Sequence, residues 1–273
     1  MKKIGLALGA GGARGLAHII ILEAFEELGV KPHIISGTSI GAIIGAAYAT
    51  GMTAGEIKNS IEELLFSRNI KLTEFYKKND MIKLLNLMSV NISTSGIFTG
   101  EKFLDYYKGK IKTYQFSKLE IPIKIVATDY FTRKEVHFTS GNIVDAVRAS
   151  YALPALFTPM QIDGKLFMDG GMVNPLPYDI LQNDCDFVVG VDVSAKNGIT
   201  LNTQPNAIDA LFASFQIMQN SILQQKLKNN KPDILLSIEI PNIRMLEFNK
   251  VKLIWKKTEK YKKTLIKELS KIL

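Results

Sequence analysis

The sequence predicts an α/β fold, a three-layer α/β/α sandwich around a mainly parallel central sheet. Three observations carry this expectation. Short apolar runs of strand length alternate with segments of helical spacing. The runs are apolar nearly throughout, as in strands covered on both faces. Glycines gather where a strand passes into a helix, the grammar of layered α/β folds.

Ile4–Leu8 is the first such run and ends in glycines. Ala13–Leu28 follows with Leu16, Ile19, Ile20, Leu22, Ala24 and Phe25 largely on one side, and Gly29 stops the helix. His33–Ile35 reads as a second strand, and Ser39 opens a second helix that ends near Gly51. Thr53–Phe66 reads as a third helix. Ser67–Thr99 is less regular, and with Leu84, Leu85, Leu87 and Met88 it is expected to form a lid-like insertion. Gly100–Lys110 is helical in pattern, and Ile123–Asp129 and Glu135–Thr139 suit a hairpin. A helix over Asn142–Tyr151 stops before Pro154. Phe187–Val193 is another buried strand, a helix lies within Ala207–Lys228, Ile234–Ile238 is the last strand, and a basic helix ends the chain. With no internal repeat or clear linker, residues 1–273 are expected to form a single domain.

The chain has 273 residues, 47% hydrophobic and 22% charged, within the range of ordinary globular proteins. No apolar run approaches the roughly 18–20 residues that span a bilayer. Met1-Lys2-Lys3 resembles the start of a signal peptide, but the apolar stretch behind it is short and broken by glycines, so no export signal is expected. The single cysteine, Cys185, excludes an internal disulfide and suits a reducing, cytoplasmic setting; it reads as an inert core thiol. Net charge is +8, and Glu247–Leu273, with nine lysines and three glutamates, carries +6 of it. This segment has two readings. It is a helix packed by its apolar stripe with lysines in water, or a helix lying against anionic lipid at the inner membrane face. Nucleic acid is not expected as a partner, and the sequence leaves the oligomeric state open.

Two motifs point to acyl chemistry. Gly9-Ala10-Gly11-Gly12-Ala13-Arg14-Gly15 lies between a strand and a helix, where backbone N–H groups converge on phosphate or on an oxyanion. Arg14 stands where a dinucleotide fingerprint needs its third glycine, and Ser36-Gly37 stands where it needs an acid. No Gly-Lys-Ser/Thr string supports a P-loop. An oxyanion loop and a plain tight turn remain. Gly37-Thr38-Ser39-Ile40-Gly41 matches Gly-x-Ser-x-Gly at a strand–helix junction, where a nucleophile elbow belongs; the alternative for Ser39 is a helix cap.

A serine hydroxyl needs a base. His18 and His33 fall at structural places. His137 could complete a triad with Asp129, although both sit on one hairpin. Asp169, in Asp169-Gly170-Gly171, reads as a tight-turn residue whose carboxylate is free to face a cleft.

Taken in order, Gly9–Gly15, Gly37–Gly41 and Asp169–Gly171 resemble the patatin-like phospholipase family. Softer matches are the helix start at Gly12–His18, Ala149–Pro154 and Asn174-Pro175-Leu176-Pro177, and the resemblance covers about residues 1–195. It implies a patatin-like sandwich and a lipid acyl hydrolase that uses a serine–aspartate dyad without histidine, metal or cofactor. Carried over by motif, Ser39 is the nucleophile, Asp169 its base, and N–H groups of Gly11, Gly12 and Ala13 the oxyanion hole. Gly9, Gly15, Gly37, Gly41, Gly170 and Gly171 support the turns, and Arg14 braces the loop. A desolvated cleft is expected to raise the Asp169 pKa. Two competing functions remain at this level, a non-catalytic lipid binder on the same scaffold and an esterase for short or carrier-bound acyl groups.

Overall fold

The computed structural model describes residues 2–66, 90–93, 96–98, 101–194 and 207–273. The strands are β1 (Ile4–Leu8), β2 (Ile34–Thr38), β3 (Val90–Ser93), β4 (Gly96–Phe98), β5 (Ile123–Asp129), β6 (Glu135–Phe138), β7 (Met160–Ile162), β8 (Lys165–Asp169), β9 (Phe187–Asp192) and β10 (Ile234–Ser237). The helices are α1 (Ala17–Glu27), α2 (Ile40–Ala49), α3 (Ala54–Phe66), α4 (Glu101–Lys108), α5 (Ile143–Ser150), α6 (Ala207–Asn229) and α7 (Val251–Leu269).

The main sheet runs β10-β9-β1-β2-β5-β8-β7, with β6 also paired to β5, and β3 and β4 form a separate antiparallel pair. From β10 to β5 the pairs are parallel; β6, β7 and β8 add an antiparallel flank. Both faces are covered, which gives the expected three layers. Ile4, Leu6 and Leu8 of β1 pack with α1, α2, α5 and α7. Ala7 faces the other way, toward Leu176, Tyr178 and Leu181 and Leu223 and Leu227 of α6. A strand buried on both faces has no polar positions, and this is why β1 reads as one apolar run.

β1 has β2 on one side and β9 on the other, so the order in which strands are added along the sheet reverses here. In open α/β sheets such a switch point leaves a crevice beyond the carboxyl ends of the strands. The loop after β1 and the turn after β2 both open into it.

Several expectations need correction. The first helix begins as a 3-10 turn, Gly12–Leu16, and becomes α-helical only at Ala17. Strand β2 extends beyond Ile35 to Thr38, directly before Ser39. Asp169 does cap a tight turn, the 3-10 turn Gly170–Met172, but it also ends β8, part of a β7–β8 hairpin that short, mixed-polarity strands hid from pattern reading. In the expected lid-like segment Ser67–Thr99, Leu84, Leu85, Leu87 and Met88 lie outside the described residues, and the described part is the β3–β4 pair. The apolar stripe of α7 is buried: Ile254, Trp255, Leu265 and Leu269 join the core, while Lys262 pairs with Glu23 and Glu27 of α1. The packed reading holds for this stripe, while Leu253 of the same helix is left exposed. Among the described residues no helix is long and apolar enough to cross one. Cys185 is partly buried against Gly5, with its thiol pushed up to about 11 by burial, as an inert thiol should be.

Candidate active site

Ser39 joins β2 to α2 at φ 56° and ψ −120°, a left-handed conformation that a non-glycine residue adopts only under constraint. The surroundings supply the constraint. The Ser39 N–H donates to Ser150 Oγ (2.9 Å), and that hydroxyl donates to the Val126 carbonyl (2.6 Å). On the other side of the turn, Ser39 O accepts from Ala42 N–H and Ile43 N–H at 2.9 and 3.1 Å, starting the helix. Gly41 makes the turn sterically possible, since a Cβ there would run into the Leu8 carbonyl. Gly37 lies under the first turn of α2, against Ala42, and Gly15 packs on Ile40.

The glycine loop is fixed from beneath by the carboxyl-terminal part of the chain. Ala13 N–H donates to Met245 O (2.7 Å), and Arg14 donates to Val193 O (3.0 Å) and Ile243 O (2.7 Å). Trp255 Nε1 donates to Leu16 O (3.0 Å). Gly12 has φ 58°, and a Cβ there would collide with the Met245 carbonyl. Arg14 is buried, and burial lowers its pKa to about 10, so it remains charged. Gly9 donates to Val191 O, while its own carbonyl meets His18 Nε2 at 2.8 Å. Burial pushes His18 down to about 4, so near neutrality it is neutral and donates through Nε2.

Asp169 reaches Ser39 from the opposite direction. Its N–H donates to Ala152 O (3.0 Å) and its carbonyl accepts from Thr128 Oγ1 (2.8 Å), so the backbone is held on both sides. Gly170 rests against the Val126 carbonyl. The carboxylate is 3% exposed; Oδ1 accepts from Gly171 N–H (2.7 Å) and Oδ2 from Ser39 Oγ (2.6 Å). Burial raises its pKa to about 6, outweighing the two hydrogen bonds that favour the anion. It is a stronger base than a free carboxylate and is still mostly ionised at neutral pH.

Ser39, Asp169, Gly11 and Gly12 share a cavity of about 380 Å³ whose other walls are mainly apolar, among them Ile43, Leu64, Phe103, Leu153, Phe157 and Met245. The structure brings the serine, the aspartate and two of the three expected oxyanion residues together. Ala13 is the exception, because its N–H is already bonded to Met245 O. The alternative triad does not assemble. His137 meets Glu135 at 2.6 Å, and the Asp129 carboxylate caps the Phe131 and Thr132 N–H groups at 2.9 Å each. His33 is exposed at the opposite end of β2.

Sequence reading missed Ser150, Thr128 and the 243–255 segment. Ser150 lies within the Ala149–Pro154 match, but nothing local marks its partner as the Ser39 amide. The Met245 carbonyl and Trp255 leave no motif, because their contacts go to backbone atoms of distant residues.

The chain is similar to known proteins. The profile described as "Patatin-like phospholipase" matches residues 6–181. An uncharacterized NTE family protein of Mycobacterium tuberculosis is 33% identical over 206 residues, 75% of this chain and 53% of that protein. The human patatin-like phospholipase domain-containing protein 6 is 32% identical over 208 residues, 75% of this chain and 14% of its own length. The chain thus aligns with about half, or far less, of these relatives. Among solved structures, VipD from Legionella pneumophila shares the fold, with a TM-score of 0.54 over 98% of this chain and 67% of its own, at 15% identity.

Proposed function

Since this chain belongs to the patatin-like phospholipase family, we propose that it is a serine acyl hydrolase cleaving lipid carboxylic esters, of phospholipase A or lysophospholipase type. The observation that carries this reading is the 2.6 Å bond from Ser39 Oγ to Asp169 Oδ2 in the wall of a mainly apolar cavity.

In the proposed reaction Ser39 Oγ attacks the ester carbonyl as its proton passes to Asp169. The oxyanion forms beside the loop, where the Gly11 and Gly12 N–H groups stabilise it; the Ala13 N–H is committed elsewhere. One such donor contributes about 10²–10³ in rate. The tetrahedral carbon expels the alcohol, which takes the proton from Asp169. Water then attacks the acyl ester, Asp169 accepts its proton, and Ser39 is regenerated as the fatty acid leaves. The apolar walls suit an acyl chain and exclude bulk water, which strengthens each charged contact during the reaction. Relatives named as phospholipases and as neuropathy target esterase support ester bonds of lipids as the target.

Contact with anionic lipid, if it uses α7, is electrostatic. Lys252, Lys256, Lys257, Lys260, Lys263 and Lys267 are exposed, whereas the apolar stripe is packed. Such attraction is worth about 1 kcal/mol per charge near a membrane and weakens with salt.

Purified wild type and Ser39→Ala, assayed on ester substrates of increasing acyl length with and without anionic vesicles, test the proposal. Wild type hydrolyses long-chain lipid esters and the variant does not. Full activity in Ser39→Ala would end the reading, and turnover confined to short soluble esters would end its lipid part.

A further inference from the structure

Beyond the dyad, three side chains with polar groups among the described residues line the catalytic cavity, Tyr106, Tyr151 and Gln219. The Tyr106 hydroxyl donates to Ser60 O (2.6 Å), and the Tyr151 hydroxyl is sealed from solvent-sized space. Gln219 of α6 differs from both. It is 5% exposed and has no hydrogen-bond partner among the described residues, yet its amide is not among the sealed polar atoms. The amide therefore opens onto the cavity. A buried amide without a partner is destabilising unless something in the cavity bonds to it.

Its position says what that something is. A Cβ on Gly171 would meet Gln219 Nε2, and the same point lies 3.0 Å from Asp169 Oδ1. The amide thus packs on Gly171 beside the carboxylate, in room that exists because residue 171 is glycine. Elsewhere the walls near the dyad are mainly apolar and offer a water molecule little to hold it.

Resting on the acyl-hydrolase reading above, we propose that Gln219 is a positioning residue that holds the hydrolytic water beside Asp169 during deacylation. Once Ser39 is acylated, its hydroxyl no longer occupies Asp169 Oδ2. Water takes that place, donates one proton toward Asp169 and is held at its other side by the Gln219 amide, which has both a donor and an acceptor. The water oxygen bonds to the acyl carbon as its proton passes to Asp169. The bond from that carbon to Ser39 Oγ then breaks, Oγ takes the proton back, and the free acid leaves. Acylation needs no water and depends less on Gln219.

The test is stopped-flow hydrolysis of p-nitrophenyl caprylate by wild type and Gln219→Met, with acyl-enzyme decay followed by intact mass. The variant is expected to acylate within about twofold of wild type while deacylation slows about tenfold, the loss of one hydrogen bond's worth of positioning. Added hydroxylamine, a stronger nucleophile than water, restores its turnover. Gln219→Asn, which keeps the amide but withdraws it by one methylene, shows the same split to a smaller degree and carries the test if the methionine variant does not fold. Equal loss in both steps, or no change in deacylation, overturns the proposal. Failure of wild type itself to acylate would strike the hydrolase reading instead.

Discussion

Thr38 and Asp169 occupy consecutive places along one edge of β5, Thr38 opposite Val126 and Asp169 opposite Ala127. Strand β6 fills the other edge over the same stretch, opposite Ile125 to Thr128. β2 runs parallel to β5 and β8 antiparallel, so their carboxyl ends meet head to head. The chain must leave the sheet there in both cases, as Ser39 on one side and Gly170 on the other. The serine–aspartate contact follows from sheet register as much as from either motif.

The register explains why Ser150 matters. Its hydroxyl ties the Ser39 N–H to the Val126 carbonyl, on the strand that aligns both partners. Ser150→Ala leaves two buried backbone groups unsatisfied and is expected to lower stability by about 2 kcal/mol and turnover at least about tenfold. Urea denaturation beside steady-state kinetics checks this; wild-type values in both would contradict it.

A pH dependence follows from Asp169. With its pKa raised to about 6, kcat/KM should fall on the acid side with a midpoint near 6 rather than near that of a free carboxylate. The sign for stability is opposite. A carboxyl whose folded pKa lies above its unfolded value favours folding when protonated, and that contribution is lost as pH rises through about 6. Asp169→Asn should therefore be inactive yet more stable than wild type at pH 7, by up to about 3 kcal/mol, with the gap closing below about pH 4. Denaturation curves at pH 7 and pH 4 measure the gap.

His18 acts the other way. Its folded pKa, about 4, lies below the ordinary histidine value, so its contribution is intact above about pH 6.5 and is lost as pH falls toward 4. The loss reaches about 3 kcal/mol. His18→Gln should flatten this part of the stability–pH curve, and an unchanged slope would show that other groups set it.

The carboxyl-terminal segment is predicted to be indispensable although the family profile ends at residue 181. Ile243 O, Met245 O and Trp255 Nε1 hold the turn that carries Gly11 and Gly12. Trp255→Ala should cost about 3–5 kcal/mol by cavity formation and impair turnover through the loop. A variant destabilised by that amount but fully active would break the link between this segment and the site.

Much of this was legible in the chain. Strands such as Ile4–Leu8 announce themselves because both faces are buried, and Gly-x-Ser-x-Gly marks the elbow because a side chain at residue 41 would strike the Leu8 carbonyl. Asp169 was legible only through the family resemblance. Its strand, Lys165–Asp169, is short and of mixed polarity, and its partner on β5 lies some forty residues away in sequence. Ser150, Met245 and Gln219 act through backbone carbonyls, amides or empty space, which leave no pattern in a sequence.

The central claim is a dyad that works without histidine. Its most direct test is steady-state hydrolysis of a long-chain acyl ester by Asp169→Asn and His137→Ala side by side. The account predicts background activity for Asp169→Asn and wild-type activity for His137→Ala; the reverse pattern would contradict it.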